Sequence, residues 1–230
     1  MIQAPLTTEQ RLKDAQHKAA MLFDQVQKRQ FITAGRSERE INTDIFQLAF
    51  ELYGIKKYWH KRIVRAGKNT LYPYQENPPN LVIGENDIVF LDFGPVFEDW
   101  EADFGRTYVL GVNEDMKKIQ SDITAAFIKG KEYYKAHPNI TASELYDYVS
   151  SLAINYGWEL GSRHCGHLIG KFPHEKIEDH EIYSYIHPDN HRQLNEWDGS
   201  FNQLHWILEI HFVDFGKQFG GFTEELLTIG

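Results

Sequence analysis

Cysteine is almost missing from this 230-residue chain: Cys165 is the only one. No intramolecular disulfide can form, a thiolate-rich structural zinc site is excluded, and a reducing compartment, the cytoplasm, is the expected location. Long apolar runs are missing too. No stretch approaches eighteen uninterrupted apolar residues, so no membrane-spanning helix is expected. The opening MIQAPLTTEQRLKDAQ has no basic start followed by an apolar run, which argues against a signal peptide. Positive charge is in deficit, with 24 Lys+Arg against 33 Asp+Glu and a net charge of −9. A phosphate backbone would be repelled, so neither nucleic acid nor a membrane is an expected partner. Collagen, coiled coil and wholesale disorder fail as well, because aromatics make up 14% and Gly and Pro are near average.

What is present fits one folded core. A chain of this mass buries roughly 70% of its extended surface on folding. Residues 7–30 carry Leu12, Ala15, Ala19, Leu22 and Val26 at helical spacing, with Thr8 as the expected N-cap. Ser37 and Glu40 form a capping-box pattern before a second helix that ends near Gly54. From residue 87 the period changes to two. DIVFLDFG (87–94) alternates, with Ile88, Phe90, Asp92 and Gly94 on one face, and ADFGRTYVLG (102–111) is its expected antiparallel partner. Two helices follow within 114–157, split at His137-Pro138. A polar loop is expected over 175–200, then strands at 203–214 and 223–230. Interleaved helices and antiparallel strands without repeats or linkers give an α+β fold in a single domain.

Several carboxylates sit where apolar residues belong. Asp92 lies between Leu91 and Phe93, and Asp103 between Ala102 and Phe104. A lone carboxylate there costs several kcal/mol to desolvate, so it needs a partner such as Arg106, a proton or a cation. Glu209 stands in the most apolar strand, WILEIHF, and Glu224 near the start of the closing one. GHLIGKFPHE (166–175) adds His167 and His174. Two Asp, one His and two Glu suit a pair of divalent first-row cations bridged by carboxylates.

This order of residues resembles the metallopeptidase superfamily of methionine aminopeptidase, aminopeptidase P and prolidase (M24). The likeness rests on Asp92, Asp103 eleven residues later, His167 in its GHxxGxxxHE segment, then Glu209 and Glu224. The surrounding GENDIVFLDFG, DFGRTYVLG and IVRAGKNTLYPY agree, the last with the Xaa-Pro peptidase branch. The resemblance implies a pita-bread fold, an antiparallel sheet with helices on its outer face. The expected domain is a single catalytic one over residues 1–230, without an additional N-terminal domain.

The resemblance further implies Asp92, Asp103, His167, Glu209 and Glu224 as ligands of two metal ions, with manganese placed first among Mn, Co, Fe and Zn. Asp103 and Glu224 would bridge, Asp92 would hold one ion, and His167 and Glu209 would hold the other. Glu225 competes with Glu224. The implied reaction is amide hydrolysis near the N-terminus of a short peptide by a metal-bridging hydroxide, with Glu209 shuttling the proton and His174 bonding the substrate.

Two departures bear on the substrate. The prolidase-type pattern ends in LPH, whereas this chain has Tyr72-Pro73-Tyr74, so Tyr74 stands at the expected substrate-side histidine. His60, in KYWHKR, is a substitute from another position. Ile210 and His211 follow Glu209 where proline is usual, which puts His211 beside the site. The alternatives are methionine aminopeptidase, a creatinase-like hydrolase of a small non-peptide amide, and a non-catalytic binding protein of the same fold. The aromatic C-terminal strands serve the core or, alternatively, a homodimer face.

Overall fold

A computed structural model describes residues 6–174, 181–196 and 203–229. Helix α1 spans Thr8–Lys28 and is capped by Thr7 rather than Thr8. The capping box needs an acceptor side chain three residues on. Gln10 supplies it for Thr7, whereas Arg11 could not for Thr8. Helix α2 (Glu38–Tyr53) starts at the Ser37–Glu40 box and stops at Gly54, whose φ of 67° favours glycine. Helices α3 (Glu114–Ala136) and α4 (Ala142–Tyr156) part at His137-Pro138, and Thr141 with Glu144 closes a third box.

The described residues form nine strands, in chain order β1 Ile63–Ala66, β2 Asp87–Phe93, β3 Val96–Phe97, β4 Trp100–Glu101, β5 Phe104–Leu110, β6 Glu159–Leu160, β7 Leu168–Ile169, β8 His205–Asp214 and β9 Phe219–Leu226. The main sheet runs β1-β2-β5-β9-β8-β6 with every pairing antiparallel, and β7 also pairs with β8. The β3–β4 hairpin occupies the connection between the two Asp-bearing strands, where no separate hairpin is expected from the sequence. The closing strand begins four residues earlier than its apolar pattern suggests, and ends at Leu226. Gly220 and Gly221 lie inside it. A Cβ at Gly220 would stand 2.8 Å from the carbonyl oxygens of Phe212 and Thr70.

The alternation of the strands sorts the core. Val64, Ala66, Val89, Leu91, Phe93 and Phe104 pack under α1 and α2, and Leu208, Ile210 and Phe212 pack under α3 and α4. Burying each such side chain contributes roughly 1.5–3 kcal/mol. Both helix layers therefore cover one side of the sheet. Phe90, Phe222 and Ile63 pack together on the other. Of the expected 175–200 loop, residues 175–180 and 197–200 lie outside the described residues, and Glu181–Ser184 forms a 3-10 turn. No helix among the described residues is long and apolar enough to cross a membrane.

Candidate metal centre

The face opposite the helices carries the acids. Asp92 projects there because its register partner on β1 is Ile63 and its partner on β5 is Gly105, the residue two beyond Asp103. Gly105 in turn pairs with Glu224, and Glu224 with Glu209 across the β8–β9 hairpin. Strands β2, β9 and β8 thus deliver Asp92, Glu224 and Glu209 to one patch, and the lead-in to β5, which lies between β2 and β9, adds Asp103. All four are buried. His167 joins them just before β7.

Two imidazoles meet Asp103. His60 Nε2 lies 3.0 Å from Asp103 Oδ1 and 3.5 Å from Asp92 Oδ1, while His167 Nε2 lies 3.2 Å from Asp103 Oδ2 and 3.3 Å from Glu224 Oε1. Asp103 therefore belongs to two three-residue groups, His60/Asp92/Asp103 and Asp103/His167/Glu224, each with ligand-type atoms within 4.8 Å of one another. Glu209 falls in neither. Its Oε2 faces His164 Nδ1 at 3.6 Å, and its carboxylate lines a narrow cleft of about 20 Å³ with Asp92, Tyr74 and His211.

The electrostatics follow from this crowding. Burial, and then the neighbouring acids, raise the Asp92 carboxyl to about 7 and that of Glu209 to about 8 against the lowering pull of His60 and His167. Glu224 is raised well above its ordinary value by burial and by Asp103 and Asp92. Asp103 goes the other way: burial pushes it up, but His60 and His167 together hold it below the usual carboxylate range. Burial alone would lower both imidazoles, yet Asp103 and its neighbours carry His60 and His167 to about 9. Asp92 Oδ1 and Glu224 Oε2 are buried without a hydrogen-bond partner. Unpaired carboxylate oxygens beside imidazole nitrogens fit divalent cations, which take oxygen and nitrogen ligands together.

The remaining expected positions separate. Arg106 pairs with Glu225 at 2.9 Å rather than with Asp103, and Glu225 also accepts from Gln16, on the side of the helices. Of the two competing acids, Glu224 is the one in the cluster. His174 donates from Nδ1 to Glu101 at 2.7 Å, and Glu101 also accepts from the backbone N–H groups of Gly170 and His174. Tyr74 is half-exposed, and its hydroxyl accepts from the Lys61 N–H. The His211 ring is locked by a 2.7 Å bond from Nε2 to the Thr70 carbonyl. It touches the cleft edge instead of the acids.

Three participants are weakly marked in the sequence. Glu101 is signalled only by standing two residues before Asp103. Trp59 leaves no pattern at all, yet its ring is 5.2 Å from His167 and 5.4 Å from His174. His60 is visible as a candidate for the histidine missing at position 74, but its contact with both Asp residues is not.

The model of metallopeptidase family M24 matches residues 10–197. The Xaa-Pro dipeptidase of Pyrococcus horikoshii is 30% identical over 146 residues, 63% of this chain and 40% of the relative. The chain spans about two fifths of the length of the curated Xaa-Pro dipeptidases it matches. Among solved structures, the P. horikoshii prolidase superposes with a TM-score of 0.75 at 22% identity, covering 96% of this chain and 59% of that one. A methionine aminopeptidase from Rickettsia prowazekii superposes with a TM-score of 0.71 at 16% identity, covering 97% and 95%. The antiparallel sheet with its one-sided helices is the pita-bread fold of these proteins, and the chain belongs to metallopeptidase family M24.

Proposed function

We propose that the chain is a dinuclear metal-dependent hydrolase of the amide bond near the N-terminus of short peptides, with Xaa-Pro substrates first. The observation that carries this reading is the pair of ligand-type groups that share Asp103, His60/Asp92/Asp103 and Asp103/His167/Glu224, with Asp92 Oδ1 and Glu224 Oε2 buried without a hydrogen-bond partner. Asp92, Asp103, His167, Glu209 and Glu224 would hold the ions, manganese ahead of Co, Fe and Zn. When bound, two divalent cations supply a hydroxide at neutral pH and polarise the scissile carbonyl.

The chain's own groups do the rest. Glu209, outside both three-residue groups, is placed to take a proton at its carboxylate and return it to the leaving amine. Glu101 holds the His174 ring by Nδ1, which fixes the direction of Nε2 for a hydrogen bond to substrate. Tyr74 offers its phenol at the cleft rim, where it orients substrate but, raised by burial above an ordinary value near 10, keeps its proton at neutral pH and shuttles none. Trp59, between His167 and His174, walls the site from water. The buried, unpaired Cys165 accords with a reducing cytoplasm.

The Xaa-Pro preference leans on the relatives, whose names give that activity for themselves. A second reading, hydrolysis of a small non-peptide amide, has the altered substrate side in its favour, where Tyr74 stands in place of a histidine. The deciding experiment is elemental analysis of the purified chain, followed by Mn- or Co-supplemented assays on Xaa-Pro, Met-Xaa and small-amide panels. About two metals per chain with Xaa-Pro cleavage is the expected result. Two metals with cleavage of small amides alone transfers the assignment to the second reading, and no metal after supplementation overturns both.

A further inference from the structure

The five-residue ligand set contains one imidazole, but the cluster contains two in matching poses. His167 donates from Nδ1 to the carbonyl of the next residue, Leu168, at 2.9 Å. His60 does the same to the carbonyl of Lys61, at 2.7 Å. A carbonyl only accepts, so each Nδ1 carries its hydrogen and each Nε2 is turned to the acids. The two rings then divide Asp103 between them, His60 on Oδ1 and His167 on Oδ2. Each Nε2 also has a second carboxylate within 3.5 Å, Asp92 for His60 and Glu224 for His167. A hydrogen bond from a ligating imidazole to a backbone carbonyl is the usual way a protein fixes ring orientation and tautomer for a metal.

The backbone makes room for the first ring. A Cβ at Gly94, two residues after Asp92, would stand 2.2 Å from His60 Cδ2 and 2.4 Å from His60 Nε2. Only the absence of a side chain there lets the imidazole lie against the acids. Edge-to-face contact with Trp59, 4.5 Å between centroids, holds it from the other side. Only 7% of the His60 side chain is exposed. A surface histidine that happened to reach an acid would need neither the glycine nor the indole.

We propose that His60 is a metal ligand through Nε2, so that each of the two ions takes one imidazole. This rests on the dinuclear reading above and adds a sixth side chain to it. His60 thereby replaces nothing at position 74: it belongs to the metals, and Tyr74 to the substrate side.

Cobalt(II) gives a readout that does not depend on turnover. In the protein loaded with two Co(II), each ligated imidazole shows one exchangeable, paramagnetically shifted Nδ1–H proton resonance. Two such resonances are expected, with His60→Leu losing one and retaining the other, and with its metal-free circular dichroism unchanged. Titration of His60→Leu should also show the affinity for one Co(II) lowered by more than the about 10–100-fold lost when a residue only orients a ligand. A single shifted resonance in the wild-type protein, present unchanged in His60→Leu, would overturn the proposal while leaving the dinuclear centre standing. Failure to bind cobalt at all would overturn the dinuclear reading and the proposal with it. If His60→Leu does not fold, the wild-type resonance count decides alone.

Discussion

The two faces of strand β8 are built from alternate residues of one decapeptide and obey opposite rules. Leu208, Ile210 and Phe212 point into the layer beneath α3 and α4, where close-packed apolar contact stabilises the fold. Glu209 and His211 point the other way and are buried just as deeply. On that side burial does not stabilise: it raises Glu209 to about 8 and lowers His211 to about 4. One face holds the molecule together, while the other stores polar groups at a cost that a cation would relieve. A period-two strand can do both because neighbouring side chains never share an environment.

The largest test of this contrast falls on Asp103, the residue common to both imidazole–carboxylate groups. Asp103→Ala should reduce bound metal, measured by elemental analysis, to near zero and lower peptide hydrolysis by at least about a thousandfold. On the helix side of the same sheet, Leu208→Ala should cost about 2–5 kcal/mol in denaturant unfolding. Glu224→Gln should do the reverse, raising or preserving the metal-free melting temperature, because it removes a buried carboxylate crowded by Asp103, Asp92 and Glu209. Metal-free destabilisation of Glu224→Gln comparable to that of Leu208→Ala would erase the distinction between the faces.

The acid face also sets a pH dependence. Asp92 and Glu209 fold with their carboxyls raised from 3.8 and 4.5 to about 7 and about 8, and His60 and His167 fold raised from 6.5 to about 9. A raised group binds more protons folded than unfolded, so its contribution is complete below the unfolded value and is lost as pH climbs through the folded one. The metal-free melting temperature should therefore fall steadily between about pH 4 and 9. Asp103, lowered, acts in the opposite sense only in the acid range. Saturating metal should reverse the slope, since ligation favours deprotonated ligands, and calorimetry at three pH values would show it. The smallest effect is expected far from the acids. Thr141→Ala removes the cap of α4 and should cost about 1 kcal/mol with metal stoichiometry unchanged.

Much of this is legible in the amino-acid sequence. Periodicity located four helices and the main hairpins, because each segment agrees with its burial. The acids at 92, 103, 209 and 224 stood out because they interrupt apolar strands, and that is where the sheet brings them together. Contacts between distant segments were less readable. His60 lies 43 residues from Asp103, and nothing in KYWHKR signals that Gly94 has left a vacancy for its ring. Thr7 displaced Thr8 because a cap depends on its partner at the third position, which a scan for the first threonine overlooks. The start of β9 at Phe219 goes unmarked because Gly220 and Gly221 carry no apolar signal, although glycine suits a strand where another backbone passes close.

The β5–β9 junction has a consequence of its own. Gly105 and Glu224 are its one registered pair, after which Thr107 takes over, donating to the Phe222 carbonyl and accepting from its N–H at 2.7 Å each. The sheet is thus two half-sheets hooked together at a narrow seam, with α1 and α2 over one and α3 and α4 over the other, the latter pair also reaching Ile88 of β2 and Val109 of β5. Asp92 and Asp103 stand on one bank of that seam; His167, Glu209 and Glu224 stand on the other. Breathing along this line would draw the acid groups apart before it loosened either helical roof, and the cluster is the clasp that spans the two banks.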